Sequence, residues 1–539
     1  MVRKEHKILL LSLFFTTGIL LYSFGVQIGN LCGNGVCQVG ENSGNCQADC
    51  RPRKITQDPF GIFVPYLTKN SISMINELAV DARTIVMWDW ITPRKITAFD
   101  DFISQVKTNV VLTLGGAKKF SSGGGFPLPR GKDLEEWKTM VARLVERYDG
   151  DNDWGCALNQ PDCYNPGDGL YPNNDFQEAI KKRPIKYWQI ENEWLWEIKD
   201  PDNPQRRASN ESMLDYFLQI RKVIKDRDSR AKIVLGASTT SHFSAGADGY
   251  SPDNCIEWGD LDCKYEKLSL DALRPKARLK LKEMRERDIF FMKKAAPYYD
   301  VFDFHIYGNN LLDIAYVVGW FNKIMHENNI AGKAIWSTEI AKPYFFFPLM
   351  GLPRPDCATD DKLFYPNGPR PIKTAYDSSI HSSYLVKLFV IGIDSGVEKM
   401  FYAGLHPIFN LNDNFCKLSL TNERDEKKPA YYTYKLMREK LAGCTDVEKL
   451  ADHTYKFSFG NKKPVFVVWG DSGNKTIDLS RYIGAKKIKV TRIITENGKT
   501  DQDALVETLP VSQIEISVTP VFIEEADKEN DGVRPSDVR

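Results

Sequence analysis

From residue 55 onward, short β-branched and aromatic runs alternate with stretches of helical period. Eight runs read as strands: FGIFVPY (60–66), ARTIVMWDW (82–90), VVLTLGG (110–116), IKYWQIENEW (185–194), AKIVLGAS (231–238), YDVFDFHIYG (299–308), KAIWSTEIA (333–341) and EKMFYAG (398–404). Helical patterns fall between them, as at 133–148, 212–227 and 381–394. Strand–helix alternation of this kind builds a parallel sheet, and eight units predict an α/β fold of the (β/α)8 (TIM) barrel type. The segment, 55–442, is longer than the roughly 250 residues such a barrel needs, so the excess is expected in loops at 150–184, 239–265 and 341–377. After Gly443 the period falls to two and no helix intervenes, which predicts a small antiparallel β-sandwich over 443–525. Residues 526–539 are charged, lack aromatics and read as a disordered tail.

The first residues supply a compartment. Arg3, Lys4 and Lys7 precede an apolar run from Ile8 to Val26. A basic segment ahead of such a run reads as a secretory signal over 1–28, or as a retained membrane anchor with its N-terminus cytoplasmic. Either form puts the rest of the chain outside the cell, secreted or at the cell surface. Cys32, Cys37, Cys46 and Cys50 lie in a Gly/Asn-rich module, 29–54, with almost no apolar residue, so crosslinks must hold it. Four cysteines allow three pairings, and nothing in their spacing chooses among them. The module is similar to short Cys-Gly-Asn-Gly-x-Cys units beside exported, often archaeal, proteins. Cys156/Cys163 and Cys255/Cys263 read as loop staples, and a Cys357–Cys416 pair would leave Cys444 free. Asn210 and Asn474 begin glycosylation sequons.

Charge then narrows the partners. Among 539 residues, 72 Lys and Arg balance 71 Asp and Glu, so no positive field exists to hold a nucleic acid. A hydrophobic fraction of 42% supports a sizeable core and excludes a disordered chain. Aromatic residues reach 12%, most of them core, with a few at strand ends where they could meet a ligand.

A barrel carries its chemistry at the C-terminal ends of its strands. Strand four ends in Trp188-Gln189-Ile190-Glu191-Asn192-Glu193-Trp194, and strand seven in Trp336-Ser337-Thr338-Glu339. Two carboxyls facing each other across a cleft are the minimum apparatus for breaking a glycosidic bond: one protonated to assist the leaving oxygen, one ionised to attack or to activate water. These residues, with His305-Ile306-Tyr307 on strand six, resemble clan A of the retaining glycoside hydrolases, over about residues 60–525. The resemblance implies that Glu193 is the acid/base and Glu339 the nucleophile. It implies too that Asn192 binds the sugar 2-hydroxyl, that Tyr307 holds the Glu339 carboxylate, and that His305 belongs to the same polar floor. No cofactor and no metal is called for. Glu191 is a rival acid, because at i−2 on a regular strand it faces the same way as Glu193.

Aromatic rings that could stack on sugars are Trp90 at the end of strand two, Trp194 beside the acid/base and Tyr402 at strand eight. Clan members usually carry Trp at strand eight, where this chain has Tyr402 and His406, and an Arg near the end of strand two, for which Arg83 sits too early. The expected function is a retaining β-glycosidase acting on an oligo- or polysaccharide through a glycosyl-enzyme intermediate. The alternatives are a non-catalytic surface glycan-binding protein and a transglycosylase on the same scaffold.

Overall fold

The computed structural model describes residues 37, 41–47, 49–87, 93–116, 126–151, 174–193, 198–200, 203–238, 275–306, 311, 313–341, 378–407, 419–422, 424–471 and 473–526. The eight expected strands are present: β1 (Phe60–Phe63), β2 (Asp81–Met87), β3 (Val110–Gly115), β4 (Tyr187–Ile190), β5 (Lys232–Ser238), β6 (Val301–Ile306), β7 (Ala334–Ile340) and β8 (Lys399–Ala403). They close into a barrel in chain order, β8 pairing with β1, and every pairing is parallel. The helices are α1 (Lys69–Leu78), α2 (Pro93–Gln105), α3 (Gly131–Tyr148), α4 (Asn174–Lys182), α5 (Asn210–Arg227), α6 (Pro275–Lys294), α7 (Asp313–Glu327), α8 (Ser378–Ser395) and α9 (Pro429–Leu441).

Alternation along each strand separates two cores. Inward-facing Val111, Val234, Val301, Trp336 and Phe401 plug the barrel, whereas the outward set packs beneath the helices. Gly61 is required here, because a Cβ on it would lie 2.6 Å from the Phe401 ring. Among these apolar groups the Lys399 ammonium donates to Asp81, and both residues are buried. The other Asp81 oxygen accepts from the Asn109 backbone and side chain at 3.0 Å. Removing one member of a buried ion pair strands the other, so Lys399→Met is expected to cost about 3–5 kcal/mol. Urea unfolding midpoints check this, and Asp81→Asn/Lys399→Met should recover part of the loss.

The C-terminal strands are β9 (Asp446–Ala451), β10 (Thr454–Ser458), β11 (Val465–Val468), β12 (Lys475–Ile477), β13 (Lys487–Arg492), β14 (Val506–Pro510), β15 (Ile514–Ile516) and β16 (Val521–Glu525). A seven-stranded antiparallel sheet runs Arg53–Lys54, β9, β10, β11, β16, β13, β14, and β12 pairs with β15 as a separate ribbon. One sheet face (Phe457, Val467, Phe522) joins the core of the barrel. The other (Phe466, Val468, Ile523) packs on Ile514 and Ile516 of the ribbon. Apolar residues therefore occupy both faces. Helix α8, caught between barrel and sheet, is buried almost all round for the same reason.

Three details go beyond the sequence reading. The segment 513–525 is two strands, β15 and β16, separated at the turn before Pro520, and β9 carries Asp446, Glu448 and Lys449 and so shows no apolar period. The segment before the barrel also joins the C-terminal sheet, through Arg53–Lys54 on β9. A Cys37–Cys50 disulfide crosslinks the N-terminal module, in which Cys46 is disulfide-bonded as well. That module rests on β9 through Ser43 N–H donating to the Lys449 carbonyl at 3.3 Å. Cys444 is free and buried, as expected. The other cysteines named above and the apolar segment 8–26 lie outside the described residues; among those described, no helix is long and apolar enough to cross a membrane.

Candidate active site

Strand β4 ends at Ile190, and Glu191 follows in a left-handed conformation with φ 62°. That turn breaks the strict alternation of a strand, so Glu191 and Glu193 do not face the same way. Glu191 points into the helix layer. Its Oε1 accepts from Gly116 N–H at 2.9 Å and from the Tyr216 hydroxyl, and Trp137 Nε1–H donates to that hydroxyl at 3.0 Å. Burial pushes the Glu191 carboxyl up to about 7, against the pull of the two accepted bonds. Asn192 and Glu193 face the mouth.

On β7 the pairing register shifts between Ser337 and Ile340, and consecutive residues Thr338 and Glu339 both engage the barrel interior. Arg83 Nη1 donates to Glu339 Oε1 at 2.7 Å, Nε donates to Gln189 Oε1 at 2.9 Å and to Thr113 Oγ1 at 3.1 Å, and Nη2 donates to Asn192 Oδ1. Early as it lies in β2, Arg83 is the arginine that contacts Glu339. Its position along the strand misleads because the long inward stem carries the guanidinium up to the carboxylate.

His305 stands between the two glutamates. Its Nδ1 lies 2.8 Å from Glu193 Oε1 and 3.6 Å from Glu339 Oε2, and its Nε2 lies 2.9 Å from Thr338 Oγ1. Counting hydrogens assigns the protons. The Thr338 hydroxyl donates to Asp303 Oδ2 at 2.6 Å, so it accepts from His305 Nε2–H. Burial lowers the His305 pKa and keeps the ring neutral, which leaves Nδ1 as an acceptor. The hydrogen between His305 and Glu193 then belongs to the carboxyl. Consistently, burial first and the Glu339 charge second push Glu193 up to about 8, with Arg83 pulling the other way. Asp303, raised by burial to about 6, is ionised at neutral pH and accepts from Thr338 N–H and Gln189 Nε2–H, each at 2.9 Å.

One ligand-type atom from each of Glu193, His305 and Glu339 lies within 4.8 Å of the other two. These are donors of a kind that binds divalent metals. Hydrogen bonding within the group and the Arg83 charge already account for their approach.

Tyr402 requires a correction. Phe401, not Tyr402, takes the inward phase of β8; Tyr402 lies fully buried on the outer face, its hydroxyl 2.6 Å from His381 Nε2. It has no face to offer a sugar. His406 is likewise buried, with Nδ1 2.8 Å from Asp425 Oδ1 and Nε2 2.8 Å from Ser71 Oγ. Trp90, Trp194 and Tyr307 lie outside the described residues. The floor also contains Thr113, Gln189, Asp303 and Thr338, whose signal in the sequence is polar residues at inward positions of apolar strands, such as Asp303 and His305 at i and i+2.

No family model matches the chain, and no curated protein matches it in sequence. Solved structures do resemble it. A GH39 β-xylosidase from Caulobacter crescentus superposes with TM-score 0.52 at 13% identity, over 89% of this chain and 98% of that one. A glucosidase from Croceicoccus marinus does so with TM-score 0.51 at 10% identity, over 88% and 97%. At such identities the likeness establishes the shared fold, a (β/α)8 barrel with a C-terminal β-domain.

Proposed function

We propose that the chain is a glycoside hydrolase that cleaves β-glycosidic bonds with retention of configuration. One observation carries the reading: two carboxyls share the barrel mouth, with oxygens within 4.8 Å, one holding a proton against His305 and one paired with Arg83. Retaining enzymes place these groups about 5–5.5 Å apart, whereas inverting ones need about 6.5–9.5 Å to admit a water. The glucosidase and β-xylosidase with the same fold add support.

In the first step Glu339 Oε2 attacks the anomeric carbon while Oε1 stays with Arg83. Glu193 gives its proton to the departing oxygen, and an alcohol leaves. In the second step a water attacks the glycosyl ester, the Glu193 carboxylate takes its proton, and Glu339 is released. With Asn192 Oδ1 occupied by Arg83, its amide N–H groups are free to donate to a sugar hydroxyl near the nucleophile. We place the enzyme outside the cytoplasm, a reading that the Cys37–Cys50 disulfide supports.

The test is hydrolysis of a panel of aryl β-glycosides, with the anomer first formed read by proton NMR. Inversion, or no turnover across the panel, defeats the proposal. The acid form of Glu193 does the work, so kcat/KM should hold below the raised value and fall with increasing pH through about 8. A pH–rate profile with no alkaline limb between about 7 and about 9 overturns that role.

A further inference from the structure

We infer that Glu191 is a positioning residue, a buried strut that sets the orientation of the Asn192–Glu193 segment. The inference rests on the acid/base reading of Glu193. Glu191 is not itself an acid in the reaction, since it is 4% exposed and faces the helices rather than the cleft. What it controls is the direction in which the chain leaves β4.

The backbone here is held on both sides. Glu191 N–H donates to the Leu114 carbonyl of β3 at 2.9 Å, and the Asn192 carbonyl accepts from Ala237 N–H of β5 at 2.7 Å. Those bonds fix the path but not the left-handed turn between them, which a non-glycine residue adopts only when other contacts hold it there. The side chain supplies them. Gly116 N–H and the Tyr216 hydroxyl converge on a single oxygen, Oε1, and Trp137 braces the hydroxyl from α3. Gly116 is shaped for this contact: a Cβ there would lie 2.2 Å from Tyr216 Oη and 2.8 Å from Glu191 Oε1. Without the strut the segment relaxes toward extended backbone and carries Glu193 away from His305.

Because both donors meet one oxygen, Glu191→Gln can keep both bonds and Glu191→Ala can keep neither. Two readouts separate positioning from bulk stability: kcat against KM for an aryl β-glycoside, and titration of the Glu193 carboxyl by carbon-13 NMR. Glu191→Ala should lower kcat on the order of 10²-fold with KM within about threefold. Its Glu193 midpoint should fall by at least about one unit from about 8 as the carboxyl loses its buried place. Glu191→Gln should match wild type in both, and Tyr216→Phe, which removes one bond, should shift both the same way by less. Wild-type kcat and titration in Glu191→Ala overturn the inference, as does a Glu191→Gln variant as impaired as Glu191→Ala. If Glu191→Ala does not fold, Tyr216→Phe decides by the same criteria. Should the wild type hydrolyse no glycoside, the glycosidase reading fails alone. The Glu193 titration still judges the strut: a shift in Glu191→Ala supports it and an unmoved midpoint overturns it.

Discussion

Glu339→Gln should lower turnover of an aryl β-glycoside by about 10⁴-fold or more, and Glu193→Gln should do so by an amount that depends on the leaving group. The asymmetry follows from the two roles. An amide at 339 cannot form the glycosyl ester, so neither step proceeds whatever the aglycone. An amide at 193 removes the proton donor, which matters only when the leaving oxygen needs a proton. A dinitrophenolate leaves unaided; a simple sugar alcohol does not. Glu193→Gln should therefore lose about 10²–10⁴-fold in kcat/KM, which reports the first step, on a poor leaving group and much less on an activated one. With the activated substrate the ester accumulates, because water attack also needs Glu193 as base. Added azide, a nucleophile that needs no base, should restore turnover and yield the β-glycosyl azide. For Glu339→Gly, azide entering the vacated space should give the opposite, α, anomer in one displacement. Rate constants on two leaving groups and product NMR check all of this. Equal losses on both substrates in Glu193→Gln remove it as the acid, and an active Glu339→Gln removes the nucleophile.

The barrel was legible because burial on both sides of a parallel sheet leaves eight apolar runs with amphipathic helices between them, a pattern that depends on composition alone. The two glutamates were legible because they terminate runs. Other features depended on which way a residue faces, and period alone does not supply that. Tyr402 and Phe401 are equally apolar neighbours, and only closure of β8 on Gly61 of β1 selects Phe401 for the interior. Glu191 parts from Glu193 through one positive φ that no local motif announces. For Arg83, position along the strand is not height in the barrel. A long side chain breaks that equivalence, whereas a short one such as Thr113 preserves it.

Arg83→Met is expected to be nearly as damaging as loss of either glutamate. The guanidinium is fully buried, and its donors serve Glu339, Gln189, Thr113, Asn192 and the Thr338 carbonyl. Methionine fills the stem and satisfies none of them. The ionised Glu339 and Asp303 would then lack their nearby positive charge, and a loss of about 3–5 kcal/mol in stability follows. Arg83→Lys restores a charge but not the planar fork, which here reaches acceptors on three strands or their ends at once, β3, β4 and β7. Lysine should recover much of the stability and little of the activity. Thermal denaturation set beside kcat/KM separates the two. The pH profile adds a signed test. Arg83 pulls the Glu193 carboxyl down against burial and the Glu339 charge, so its removal lets that carboxyl rise above about 8. The alkaline limb of the residual activity should therefore move to higher pH in Arg83→Met and stay near its wild-type place in Arg83→Lys. A limb that moves to lower pH in Arg83→Met would mean that the guanidinium governs the site through packing rather than charge.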